Sequence, residues 1–225
     1  MRVLSSLAIK EAYLELLPAF TAKAKHKVDT EWLGMVDIMK RIKAGEAADM
    51  VIASQKALGE LKSLGKVEAV VDLARSGVAV AVKKGAGRPD IGSGEAVKRA
   101  LRAAKSIAYS SGPSGVYLVE LFQKWGLGEE LKAKSTQTPP GTAVGPLVAR
   151  GEAEIGFQQM SELLPFSAGI DIVGPLPADL QIITTFSGGV HAAAKEADAA
   201  RAWMAFLTSP QSAPVLRKHG MEPAR

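Results

Sequence analysis

The sequence predicts an α/β protein assembled from repeated strand–loop–helix units. Three observations predict it. Short apolar runs that read as buried strands end in small hydroxyl or glycine residues; each is followed by apolar residues at helical spacing; and the pattern recurs in both halves of the 225-residue chain. Successive units of this kind build largely parallel sheets, whose ligands gather at the carboxyl ends of the strands.

The plainest unit is Ile107-Ala108-Tyr109-Ser110-Ser111-Gly112-Pro113-Ser114-Gly115-Val116-Tyr117. An apolar strand ends in serines, meets a Gly-Pro breaker and restarts as a helix from Val116 to Trp125. The first amides of a helix have no partner within it and lie at the positive end of its dipole, so small residues there let an anion approach the backbone. The alternative is that Ser114 only caps the helix, the commoner role for one such loop in isolation. Repetition of the loop elsewhere in the chain favours the anion reading.

The other elements follow in order. Val3 to Ser6 is a strand, and Ala12, Leu16, Leu17 and Phe20 mark a helix in which Pro18 is expected to kink or interrupt the turn. Lys23, Lys25, His26 and Lys27 read as a solvated basic turn. Val28 to Trp32 is a second strand; Gly34 opens a helix with Met35, Ile38, Met39 and Ile42, closed by Gly45. The run from Ala47 to Ser54 is a buried strand with Ser54 as the cap of a helix through Leu58, Leu61 and Leu64 that ends at Gly65. Val78 to Val82 is a strand, and the loop Gly85-Ala86-Gly87-Arg88-Pro89 reads as a boundary between lobes.

Beyond it lie a helix from Gly94 to Ala104, the unit already described, and a short helix around Leu131. Residues 136–142 read as a loop whose end caps a helix through Val144, Leu147, Val148 and Arg150. Glu154 to Gln159 is a strand ending in two amides, with Ser161 as the next cap, and Gly174-Pro175-Leu176-Pro177 is a rigid irregular segment. Gln181 to Phe186 is β-rich and long enough to pass between lobes, after which helices at 198–207 and 210–219 bury Trp203, Phe206, Leu207, Val215 and Leu216 against the first lobe.

Composition closes several function classes. With no cysteine, disulfides, thiolate metal sites and cysteine nucleophiles are excluded. A net charge of +5 and a pI near 9.4 favour anionic partners. Aromatic residues make up only 5% and do not interleave with basic ones, so nucleic acid is not an expected partner. Charged residues interrupt every apolar stretch, so no membrane insertion is expected. Met1-Arg2-Val3-Leu4-Ser5 is strand-like, so the chain reads as cytoplasmic or as the mature form of a protein whose leader has been removed.

Motifs for metal and cofactor chemistry are missing, and no cofactor is expected. Gly59 to Lys66 is one residue too long for a phosphate-binding loop and is followed by Val67. No Gly-x-Gly-x-x-Gly follows a strand, no Gly-x-Ser-x-Gly elbow is present, and His26, His191 and His219 lack metal-ligand spacing.

Three stretches and the chain's ending resemble the type II periplasmic solute-binding proteins, specifically their molybdate-binding branch of ABC transporter substrate-binding proteins. They are Ala44-Gly45-Glu46-Ala47-Ala48-Asp49-Met50-Val51-Ile52-Ala53-Ser54, Pro113-Ser114-Gly115-Val116-Tyr117, and Arg150-Gly151-Glu152-Ala153-Glu154-Ile155-Gly156, with Ala205-Phe206-Leu207-Thr208-Ser209-Pro210 near the end. The resemblance implies two α/β lobes, each a mainly parallel sheet flanked by helices, joined by two crossing strands near residues 77–84 and 182–190. Lobe 1 would be residues 1–80 with 189–225, lobe 2 residues 81–188, and the ligand cleft would lie between them.

By the same resemblance the ligand loops are residues 5–8, 32–36, 110–116, 140–143 and 158–161. The site residues it implies are Ser5, Ser6, Leu7, Ala8, Gly34, Met35, Ser111, Ser114, Gly115, Val116, Gly141, Thr142, Gln158 and Gln159. Ala8 stands where molybdate binders carry a ligand serine, Gly34-Met35-Val36 replaces their serine-rich second loop, and Gln159 falls where a ligand tyrosine is expected. These departures suit an organic carboxylate at least as well as molybdate.

The function expected first is a monomeric periplasmic protein that captures a small anion, an organic carboxylate or oxyanion, for an ABC transporter permease. The alternative is an isomerase of an unsaturated tricarboxylate, since some members of the branch resemble aconitate isomerases. That reaction needs a proton-transfer group, for which Lys10, Glu162 and His191 are candidates that also read as surface or capping residues. A cytoplasmic anion-sensing domain is a third reading.

Overall fold

The computed structural model describes residues 1–24 and 27–224, so Lys25 and His26 of the basic turn lie outside the described residues. The chain divides into two units, Met1–Ser76 with Thr184–Arg225, and Gly77–Ile183.

In the first unit β1 (Arg2–Ser6) lies between β2 (Asp29–Leu33) and β3 (Met50–Ser54), parallel to both. Their side chains alternate between two cores, as a pleated strand requires. Val3, Met50 and Ile52 enter one cluster, while Leu4, Val51 and Ala53 enter the other. Burial on both faces explains why β3 reads as an unbroken apolar run.

The helices of this unit cover the two faces. α2 (Met35–Lys43) and α3 (Gln55–Ser63) bury Ile38, Ile42, Leu58 and Leu61 in the second cluster. Ser54 caps α3 as the sequence predicts, its Oγ accepting the Ala57 N–H at 3.3 Å. On the other face α1 (Lys10–Ala24) meets α9 (Ala197–Leu207) and α10 (Ala213–Lys218). Pro18 does not interrupt α1; it sits on the exposed side, where its missing N–H and its ring meet no packed neighbour. Trp203 is fully buried, edge-on to Tyr13 at 4.9 Å and 4.7 Å from Phe20 between ring centres. The closing helices therefore pack on the first unit, as expected.

β4 (Val67–Lys83) and β9 (Ile183–His191) are the strands in which the chain changes unit. β9 runs antiparallel to β3, β4 lies beside β9, and β10 (Glu222–Pro223) pairs antiparallel with β4 at Arg75 and Ala74. Only residues 78–82 of β4 read as a strand, because its earlier half mixes exposed Glu68 and Arg75 with buried Leu73 and Ala74. The transfers come a few residues before positions 80 and 188: β4 leaves β10 at Arg75 and takes up β7 and β8 from Val78 onward.

In the second unit β5 (Ile107–Tyr109) lies between β6 (Ser135–Gln137) and β7 (Ile155–Gln159), parallel to both. β7 and β8 (Ile170–Pro175) flank the second half of β4, antiparallel to it, so both sheets are mixed rather than uniformly parallel. α4 (Gly94–Ala103), α5 (Pro113–Lys124) and α6 (Gly128–Lys132) cover one face. The other carries α7 (Gly145–Arg150) and α8 (Met160–Leu163).

Four expectations are corrected here. Residues 135–137 form β6, which the polar Ser-Thr-Gln run had disguised as loop. Gly174 and Pro175 end β8 just beyond a bulge at Val173, which lies opposite Val80 and Ala81 of β4, rather than forming an irregular segment. The Gly85 to Pro89 loop is a turn inside the second unit, held by the Gly85 N–H on the Asp171 carboxylate at 2.9 Å, and not a lobe boundary. Ser161 lies within α8, whose N-cap is Gln159.

One buried carboxylate ties the first unit together. Asp49 accepts the N–H groups of Arg2 at 2.7 Å, Lys195 at 2.8 Å and Glu196 at 2.9 Å, joining the start of β1 to the approach to α9. Burial opposes its ionisation, but the three backbone donors prevail and hold the carboxyl below its ordinary range. Asp49→Ala is expected to cost about 2–4 kcal/mol by denaturant titration at neutral pH. Because the folded value is depressed, the stabilisation is present above the unfolded carboxylate range and is lost as pH falls through the folded value. The difference between wild type and variant should therefore shrink in acid.

Candidate functional site

Each unit brings several sequence-predicted residues to the carboxyl edge of its parallel strands. In the first, Ser5 pairs in register with Trp32 and Ile52, so the ends of β1, β2 and β3 share one edge. Ser5 is buried and its Oγ donates to the Ser6 carbonyl at 3.2 Å. The Oγ of Ser6 accepts the Ala8 N–H at 3.3 Å and caps a single 3-10 turn, Leu7–Ile9, which leads into α1. Ala8 is buried and Leu7 half-buried. Gly34 is the N-cap of α2 and offers no side chain, so the first amides of α2 have no side-chain cap; Met35 follows it, half-buried, its Sδ 4.0 Å from Ser54 Oγ.

In the second unit β5 pairs through Tyr109 with Phe157 and Gln137, so Ser110, Gln158 and Thr138 lie one residue further along the same edge. α5 begins earlier than predicted: its N-cap is Gly112, with Pro113 in the first turn. Ser114 therefore sits inside the helix and is not its cap. Its Oγ, buried, lies 3.0 Å from Ser110 Oγ, which also accepts the Gly112 N–H at 3.2 Å. A Cβ on Gly115 would lie 1.6 Å from the Ser110 carbonyl oxygen, so only glycine lets the helix start this close to the strand end. Ser111 is half-buried and Val116 is exposed.

The loop before α7 departs from expectation. Gly141 and Thr142 are exposed, and Thr142 caps no helix; its carbonyl accepts Thr138 Oγ at 2.8 Å. The N-cap position belongs to Val144, and the Val144 N–H donates to Gln158 Oε1 at 2.8 Å. Gln158 Nε2 in turn donates to Glu162 Oε1 at 3.0 Å. Gln158 is only 2% exposed and both ends of its amide are engaged within the protein. Its side chain is thus a bridge between α7 and α8. Gln159 is fully buried and is the N-cap of α8.

Glu162 is the one strongly perturbed acid at these loops. Removal from water pushes its carboxyl up to about 7, against the smaller opposing pull of the Gln158 amide. A carboxyl titrating near neutrality can both take and return a proton. The other two proton-transfer candidates sit differently. His191 follows Val190, the partner of Met50 at the beginning of β3, so it lies at the edge opposite Ser5 and Ser54. It is buried, with Nδ1 accepting the Ala193 N–H at 3.0 Å, and burial lowers its pKa. Lys10 opens α1 immediately after the Leu7–Ile9 turn.

Sequence reading placed Ser110 in the loop 110–116 without naming it as a site residue, and left Val144 and Thr138 outside the ligand loops. Ser110 carried a signal, its place directly after a strand; the Val144 amide carried none, since a backbone donor has no identity in sequence. A separate cavity of about 660 Å³ in the second unit is lined by Lys83, Arg88, Glu154 and several alanines near the amino end of β7, away from these loops. Among the described residues no cluster of acidic and histidine side chains could hold a metal ion.

The family model for bacterial extracellular solute-binding proteins matches residues 1–222. The chain belongs to that family. It has the type II periplasmic-binding-protein fold, and family and fold together place it in the periplasm. No helix among the described residues is long and apolar enough to cross a membrane. The sequence is 38% identical over 231 residues to an aconitate isomerase from Pseudomonas sp, covering 99% of this chain and 87% of that protein. The periplasmic molybdate-binding protein of Azotobacter vinelandii matches at a TM-score of 0.82 and 16% identity, covering 100% of each chain. The sulfate-binding protein SubI of Mycobacterium tuberculosis H37Rv matches at 0.79 and 15% identity, covering 100% of this chain and 86% of that one. At such identities the structural matches establish the fold.

Gly115→Ala tests the close approach at β5 directly. The added methyl must displace the Ser110 carbonyl or α5, at an expected cost of about 3 kcal/mol or more in chemical denaturation. Gly59→Ala, whose Cβ would meet nothing within 4 Å in an exposed stretch of α3, is the control and should be neutral or stabilising.

Proposed function

We propose that this chain is a cis–trans isomerase of a small unsaturated tricarboxylate, of the aconitate-isomerase kind. The observation that carries this reading is the 38% identity to the Pseudomonas aconitate isomerase across 99% of the chain. The loop chemistry agrees with it. Ala8, Gly34-Met35-Val36 and Gln159 stand where the resemblance to molybdate binders calls for hydroxyl ligands, whereas a carboxylate is served by N–H groups and the remaining serines. The proposed ligand contacts are the predicted residues other than Gln158, whose amide is already committed.

The reaction moves a proton across an allylic system. A proton leaves the CH2 between a carboxylate and the double bond, and one is delivered to the former vinylic CH as the double bond shifts. The two arms of the skeleton exchange roles, so the product has the same constitution and is cis or trans according to the rotamer that is reprotonated. Negative charge grows on a carboxylate during this step, and preorganised N–H and hydroxyl donors stabilise it.

A second reading rests on family membership: a binding protein that delivers a carboxylate to an ABC transporter permease without turnover. Incubation of the purified protein with cis-aconitate, followed by NMR or chromatography, separates the two. Interconversion well above the buffer rate is expected; tight binding without it would leave the transport role alone. In a thermal-shift series at 100-fold excess over Kd the preferred ligand stabilises by about 2.7 kcal/mol. Tricarboxylates should give the larger shift, and a response to molybdate alone would reject both carboxylate readings.

A further inference from the structure

We propose that Glu162 is the group that carries the proton in this reaction and that Gln158 is its positioning residue. The inference rests on the isomerase reading above and names the machinery of that site. Its foundation is geometric. The Val144 N–H can only donate, so the Gln158 atom 2.8 Å away is the amide oxygen, and the orientation of the whole side chain follows. The Gln158 NH2 group then points to Glu162 Oε1 at 3.0 Å. Because Gln158 is buried and held at both ends, it fixes one carboxylate oxygen of Glu162 and leaves the other uncommitted to it.

Among the described residues no neighbouring charge competes for that carboxylate. α8 packs on β7 and on the 3-10 turn Leu164–Phe166, and neither carries a titratable side chain. Arg150, the cation of α7, is paired with Glu152 at 2.5 Å. A half-buried carboxyl with one neutral donor and no counter-ion is a base of moderate strength rather than a salt-bridge partner.

In the step assigned to it, ionised Glu162 takes the allylic proton. The C–H electron pair forms the new double bond, and the old double-bond pair moves to the far carbon. That carbon takes the proton back from the Glu162 carboxyl, which ends as it began. One proton and one double bond change place; nothing is oxidised or reduced.

The test starts from wild-type protein. If wild type does not interconvert cis- and trans-aconitate, the isomerase reading fails, and this inference with it. If it does, Glu162→Gln should bind trans-aconitate with an unchanged thermal shift while turnover falls about a hundred-fold or more; turnover within a few-fold of wild type overturns the inference and leaves the reading standing. Gln158→Met removes a donor that favours the ionised carboxyl, so the acid limb of kcat/KM, near pH 7 in wild type, should move to higher pH. A limb that stays in place overturns the positioning role. Should Gln158→Met fail to fold, Gln158→Glu keeps an oxygen for the Val144 N–H while replacing the NH2 donor by a carboxylate, so the acid limb should again move to higher pH, and a limb that stays in place overturns the positioning role.

Discussion

The closeness of helix starts to strand ends, set by glycine, governs the loops of the second unit. The Ser110 carbonyl occupies the place a side chain on Gly115 would need. The same constraint recurs at α7. A Cβ on Gly156 would lie 2.4 Å from Val148 Cγ2 and 2.9 Å from Val144 Cγ1, and one on Gly145 would lie 2.4 Å from the Phe166 ring. Gly156 lets α7 settle on β7 and Gly145 lets it lie against the Leu164–Phe166 turn, in the arrangement that brings the Val144 N–H to Gln158. The orientation of the Gln158 amide, and through it the placing of Glu162, thus follows from missing methyl groups several residues away.

Polar groups divide into those that hold the fold and those free to do chemistry. The stretch Ala44 to Ser54, so specific as a family signature, is mostly of the first kind. Glu46 is paired with Arg41 at 2.6 Å and with Arg2, and Asp49 gathers three backbone donors. The exposed pairs contribute little each, whereas the buried carboxylate has no substitute for its donors. Glu162 lies at the other extreme, buried enough to resist ionisation and without a cation to favour it.

Reading the sequence located nearly every buried strand, because burial on both faces leaves unbroken apolar runs such as Met50 to Ser54. It lost β8, the two-residue β10, β6 and the first half of β4; in the last two, Ser-Thr-Gln and an irregular mix of Glu68, Asp72 and Arg75 hide the strand. Pro18 misled for a local reason: a proline on the solvent side of a helix removes one hydrogen bond but meets no packed neighbour. Ser54 was legible as a cap because its role needs only the next three residues. Ser114 and Thr142 were not, since the starts of α5 and α7 depend on which strand each helix packs against.

The sequence by itself determined the strand–loop–helix alternation, the small residues at the strand ends, the absence of thiol chemistry and the family to which these belong. Periodicity and residue size are local properties, and they survive without knowledge of the fold. Only the tertiary structure decided that the Gln158 amide bridges the Val144 N–H and Glu162, that His191 stands at the edge of its sheet opposite Ser5 and Ser54, and that Glu162 titrates near neutrality. Each of these depends on what lies beside a side chain in space: a backbone amide from another loop, the direction of a neighbouring strand, or the exclusion of water.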